Sequence, residues 1–213
     1  MVKSKMISSL TAEKLACARG TRRLFEGLSF SVKAGQALAL EGANGTGKTS
    51  LLRLVAGFLP QAAGRVFLTE AGKEIAEAEE RGRFIGWLGH HDALKASFTV
   101  SEQLAFFGKL HDRQGDLSAL LGQVGLERQA ELPCRYLSAG QRRRLALARL
   151  LLIQRPLWLL DEPFAALDTA GKSLVARLIA LHCGRGGIVI AATHEPLGLS
   201  NETLRLSNES LKL

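Results

Sequence analysis

Eight residues restrict this chain more than any others: Gly42-Ala43-Asn44-Gly45-Thr46-Gly47-Lys48-Thr49. They follow the apolar run QALAL and precede KTSLLRLVAG, whose spacing predicts a helix closed by Gly57. A G-x-x-x-x-G-K-T segment between a strand and a helix suits one chemistry. Its glycines let the backbone turn successive N–H groups inward around an anion, at the positive end of the helix dipole. Lys48 reaches the β- and γ-phosphates of a nucleotide, Thr49 offers its hydroxyl to Mg2+, and Ser50 completes the cradle. A glycine-rich turn with a solvated lysine is the plain alternative, and the strand and helix on either side weigh against it.

A nucleotide held with magnesium needs acidic groups nearby. LWLLDE places Asp161 and Glu162 at the end of an apolar strand, with Asp161 suited to the metal and Glu162 to the attacking water. Alone, such a pair reads as a solvated loop; beside a phosphate loop it reads as the second half of the site. GIVIAATHEP puts His194 after another apolar strand. If both strands share one sheet, His194 lies at the edge where ligands bind and can meet the γ-phosphate.

LSAGQRRR, residues 137–144, is odd for a surface segment. Ser138 and Gln141 have the spacing of a capping box that opens the apolar helix LALARLLLI. Such a start points backbone N–H groups outward, and Gly140 leaves room for an anion to approach. The bland alternative is an ordinary capped helix with a solvated arginine cluster.

Composition narrows the class. Apolar residues make up 46% of the 213, enough for a globular core. The net charge of +8 favours polyanions, phosphates or an anionic membrane surface. Cys17, Cys134 and Cys183 show no C-x-x-C spacing, so disulfide and zinc frameworks are not expected. No run approaches the roughly 18 uncharged apolar residues of a membrane span. The N-terminal SSLTAEK lacks the apolar core of a signal peptide.

Along the chain, LSFSV, QALAL and VFL read as strands around one helix, and the charged EIAEAEERGR separates them from IGWLG. From about Ser97 to Ile153 the pattern is helical, with turns expected at Gly108, Gly115 and Pro133. LWLL, a helix near Ala170–Leu181 and GIVIAAT then restore strand-helix-strand order. The expectation is an α/β fold with a parallel sheet and a helical insertion.

Taken together, Gly42–Thr49, LSAGQ, LWLLDEP, Ala165–Asp168 (AALD) and Thr193–His194 resemble, in order and spacing, the ATP-binding-cassette ATPases. The resemblance spans nearly the whole chain, and the LSAGQ signature separates it from other P-loop NTPases. It implies a RecA-like core with an antiparallel β part, residues 1–88 and 155–213, and an inserted helical subdomain, residues 89–154. It implies ATP and Mg2+, with Lys48, Glu162 and His194 in catalysis and Thr49 and Asp161 at the metal. It also implies a homodimer with composite sites. In such a site Ser138, Ala139, Gly140 and Gln141 of one copy close on the nucleotide held by the other, and Asp168 communicates between them.

LSAGQ, IGWLGHHDALK and THEPL are further similar to the ATP-binding subunits of cytochrome c maturation exporters, the haem-export ATPases. That likeness implies integral membrane permease subunits as partners and a peripheral position at the cytoplasmic face of the inner membrane. Neither nucleic acid nor direct haem contact is expected of this subunit. Two positions depart from the general cassette pattern. His90 stands where a glutamine usually touches Mg2+, and imidazole is a poor magnesium ligand, so a coupling role is expected there. Arg19 stands where an aromatic ring usually stacks on adenine, and a guanidinium can stack in its place. Alternatives are a cassette ATPase for another small solute and one acting on nucleic acid or ribosomes. The latter class usually carries two fused cassettes or a long coiled-coil insertion.

Overall fold

The computed structural model describes residues 6–20, 22–199 and 202–206, with the side chains of Arg19 and Arg22 outside that description. In chain order, β1 (Ser9–Arg19), β2 (Arg22–Lys33) and β3 (Ala37–Glu41) lead into α1 (Lys48–Val55). There follow β4 (Ala63–Glu70), β5 (Lys73–Ile75), α2 (Ala78–Gly82) and β6 (Ile85–Leu88). Three helices come next, α3 (Val100–Leu110), α4 (Leu117–Gln123) and α5 (Ala139–Ile153). The chain closes with β7 (Leu157–Asp161), α6 (Thr169–Gly184), β8 (Ile188–Ala192) and β9 (Glu202–Arg205).

The strands form two sheets. One is antiparallel, in the order β2-β1-β4-β5. The other is parallel throughout, in the order β6-β7-β8-β3-β9. Every residue of β7 and β8 is buried, as expected for parallel strands covered on both faces. Alternate side chains serve different layers. Leu38, Leu40, Leu157, Leu159 and Ile190 pack under α1 and the antiparallel sheet, while Ala39, Trp158, Leu160 and Val189 face α5 and α6.

Helix α5 belongs to two cores. Ala146, Leu147 and Leu150 press on the parallel sheet. Leu145, Ala148 and Leu152 pack with Val100, Leu104 and Leu121 of the preceding helices and with Val124 just after α4. This explains why LALARLLLI shows no polar face: both flanks are covered.

Several local expectations change. Gly108 makes no turn; it lies within α3, and the chain folds back only after Leu110, with Arg113 N–H donating to the Gly108 carbonyl at 2.7 Å. EIAEAEERGR is no plain spacer either. It supplies part of β5 and α2, and Arg81 is buried, donating to the carbonyls of Val66 and Ala76. Strands β1 and β9 were not expected. Gly57 closes α1 as its spacing predicts, at φ +80°, where an added Cβ would lie 2.7 Å from that of Ala78.

Candidate active site

Three motifs meet at one edge of the parallel sheet because β7, β8 and β3 are neighbours in register. Leu40 pairs with Ala192, and Ala192 with Asp161. The phosphate loop, the Asp161–Glu162 turn and Thr193–His194 therefore leave adjacent strand ends on the side where such sheets bind ligands.

The loop from Gly42 to Gly47 takes conformations that need glycine. Gly42, Gly45 and Gly47 have φ of +145°, +84° and +101°. Gly42 is also crowded: an added Cβ would lie 2.3 Å from the Leu206 carbonyl oxygen and 2.9 Å from Thr46 Oγ1. The Thr46 hydroxyl donates to the Ala43 carbonyl at 2.9 Å, and the Lys48 ammonium donates to the carbonyls of Gly42 and Ala43 across the loop. Gly47 precedes α1 with no side-chain cap, and the first helical bond runs from Leu51 N–H to the Gly47 carbonyl. The N–H groups of Lys48, Thr49 and Ser50 lie ahead of that bond with no intrahelical partner.

Across from the loop, the Thr49 hydroxyl lies 3.1 Å from each carboxylate oxygen of the buried Asp161. Thr49 opens α1 and Asp161 ends β7, so two elements bring hydroxyl and carboxylate oxygens together. An all-oxygen donor set is what Mg2+ prefers. The next residue, Glu162, takes a left-handed φ of +50°, unusual for a residue with a side chain. Its N–H donates to the Ala192 carbonyl at 2.9 Å. That turn stops β7 at Asp161.

The signature helix begins as its spacing predicts. Ser138 Oγ accepts from Gln141 N–H at 3.2 Å, and Gln141 Oε1 accepts from Ser138 N–H at 2.8 Å. Ser138 and Ala139 are exposed. Gly140 has a reason within its own chain as well, since an added Cβ would lie 3.0 Å from the Ala166 carbonyl in the loop before α6. Asp168 caps α6, accepting from Gly171 N–H at 2.7 Å.

The family pattern for ABC transporters matches residues 25–165, two thirds of the chain. The cytochrome c biogenesis ATP-binding export protein of Rhodopseudomonas palustris (strain BisB5) is 50% identical over 192 residues, covering 90% of this chain and 94% of that protein. Its counterpart in Bradyrhizobium diazoefficiens is 46% identical with the same coverage. This chain belongs to the ABC transporter family. A solved ABC transporter ATP-binding protein from Pyrococcus furiosus shares the fold, with a TM-score of 0.81 at 22% identity over 93% of this chain and 98% of its own. Another neighbour is cbiO1 of Clostridium perfringens, part of the ABC transporter complex cbiONQ, with a TM-score of 0.72 at 26% identity over 87% and 78%.

In this ABC ATPase the remaining site residues fall in different places. His194 is exposed just past β8, where the buried Thr193 hydroxyl accepts from Glu195 N–H at 2.9 Å and shapes the turn. His90 is exposed beyond β6, beside His91 with ring centroids 5.3 Å apart. The Arg19 side chain, expected at adenine, lies outside the described residues. No helix among the described residues is long and apolar enough to cross a membrane.

The three arginines after the signature form no solvated cluster. Arg142 donates to the Leu137 carbonyl, Arg144 to those of Val124 and Gly125, and Arg143 is buried. Arg149, two turns on, is buried too and donates to the carbonyls of Asp92 and Ala93. A charge inside an apolar helix such as LALARLLLI is the sequence signal for such a job, because an unpaired buried charge is costly.

The ABC ATPase has a second recess at the opposite edge of the sheet, far from the site chemistry. A cavity of about 330 Å³ there is lined by Met6, Leu150, Pro156, Trp158, Leu181 and His182, among others. The His182 ring stacks on Trp158 with centroids 3.9 Å apart, and burial lowers its pKa to about 4.

Proposed function

We propose that this ABC ATPase powers an exporter of the cytochrome c maturation system, with haem as the cargo of its integral membrane partners. The 46–50% identity to cytochrome c biogenesis export proteins over nine tenths of the chain supports that branch. The observation that carries the chemistry is the Thr49 hydroxyl set between both oxygens of Asp161, with Glu162 next along the turn. Gly42 to Ser50 surround the phosphates, and Lys48 neutralises their charge. Thr49 and Asp161 would hold Mg2+, which when bound offsets charge on the phosphate oxygens. Glu162 orients and deprotonates the attacking water, and His194 contacts the γ-phosphate.

In this reading, residues 1–88 and 155–213 form the nucleotide-binding core and 89–154 the helical subdomain. A second copy contributes Ser138 to Gln141 to each nucleotide, and Asp168 links the two sites. The assembly sits peripherally on the cytoplasmic face of the inner membrane. His90, exposed between core and helices, couples nucleotide state to the membrane partner.

Replacing Glu162 with Gln tests the central role. ATP binding should persist while turnover falls about 10²-fold or more, the loss expected when a positioned base is removed. Near-normal turnover in that variant would falsify the assignment.

A further inference from the structure

We propose that Arg143 is a positioning residue that locks the Glu162 turn and the His90 loop to the signature helix. The inference rests on the catalytic role of Glu162 proposed above. Arg143 lies in the second turn of α5, its side chain only 4% exposed. Its guanidinium fills a cage of four acceptors. Nη1 donates to the Gly89 carbonyl at 2.8 Å and to Asp92 Oδ1 at 2.9 Å. Nη2 donates to the carbonyls of Asp161 and Glu162. The two terminal nitrogens carry four protons, matching the four acceptors.

Each acceptor belongs to a working segment. The Asp161 and Glu162 carbonyls flank the left-handed residue that ends β7, a conformation that persists only where surroundings enforce it. Glu162 N–H is tied to Ala192, so Arg143 supplies the other side of the clamp. Gly89 and Asp92 bracket His90 and His91, and Arg149 of the same helix fastens the Asp92 and Ala93 carbonyls. Ala93 is itself left-handed at φ +49°. Helix α5 thus grips both the loop holding His90 and the turn holding the catalytic carboxylate. A displacement of the helix passes to both through one rigid, planar fork. A lysine, with one nitrogen and three donors, cannot span the same four acceptors.

The test combines Arg143→Lys with Glu162→Gln and reads kcat, KM for MgATP and thermal stability. Arg143→Lys should lower kcat about 10²-fold, as misplacement of a catalytic group by about 1 Å does. KM for MgATP should change less than about threefold, because the phosphate loop is untouched. In the Glu162→Gln background, single-turnover hydrolysis should fall less than about twofold on adding Arg143→Lys, since the two substitutions remove one function. Asp92→Asn keeps Arg143 but weakens one arm of the cage, and should lower kcat several-fold if Arg143→Lys fails to fold. Equal losses in both backgrounds, a raised KM with unchanged kcat, or normal kcat in Arg143→Lys would overturn the proposal, as would normal kcat in Asp92→Asn where Arg143→Lys does not fold. If Glu162→Gln itself retains turnover, both readings fall. If it is inactive while Arg143→Lys is unimpaired, only the role of Arg143 falls.

Discussion

Helices α1 and α5 begin in opposite ways, and the difference separates two kinds of anion-ready helix start. Gly47 precedes α1 in a left-handed conformation with no side-chain cap, so the first-turn N–H groups stay available. That choice forgoes the roughly 1 kcal/mol a capping side chain contributes. Ser138 and Gln141 close a reciprocal box at α5, and its start is set before anything approaches it. The open start leaves its first-turn donors free, which suits completion by an anion. The closed start is a finished shape that can be presented to another molecule without reorganising.

The sharpest way to break this comparison is to place the two starts on different chains. A Lys48→Ala chain and a Ser138→Arg chain should each be inactive as homodimers. Mixing them should restore ATPase activity, because one composite site then carries both defects and the other neither. A single-chain arrangement predicts no recovery, as does strict coupling between the two sites.

A smaller effect should come from the loop before α1. Gly42→Ala combines φ +145° with a carbonyl 2.3 Å from the new Cβ, so the backbone itself must move. MgATP affinity should fall more than about tenfold in equilibrium titration, since strain of this kind costs about 1–3 kcal/mol. Gly45→Ala meets open space at φ +84° and should cost clearly less. Equal losses would show that conformation, and not crowding, governs the loop.

Smallest is the cap itself. Ser138→Ala removes one arm of the box and should lower unfolding free energy by about 1 kcal/mol in denaturant titration. The same titration on Thr99→Ala, which opens the equivalent box at α3, should give a similar loss. If Ser138→Ala costs turnover far beyond its stability loss, the Ser138 hydroxyl does more than cap its helix.

Much of the candidate site is legible in the sequence because its residues lie close together along the chain. The phosphate loop, the Asp161–Glu162 pair and the capping box are each made by residues within a few positions of one another. The capped start of α5 was read from four letters. The jobs of Arg143 and Arg149 were not, because their acceptors lie 18 to 57 positions away. Gly140 shows the same limit. Read alone, it made room for an anion, whereas folding also sets it against Ala166, a neighbour 26 positions on.

By itself, the sequence determined the parallel α/β core, the order of its motifs and the residue types in the Gly42–Thr49 loop. These follow from apolar runs and from glycines needed at particular φ angles, which are properties of short segments. The tertiary structure alone decided which strand ends share an edge, which of three consecutive arginines is buried, and where α5 grips the Glu162 turn. Those outcomes depend on loop closure and on burying charge beside distant carbonyls, and no short segment contains both partners.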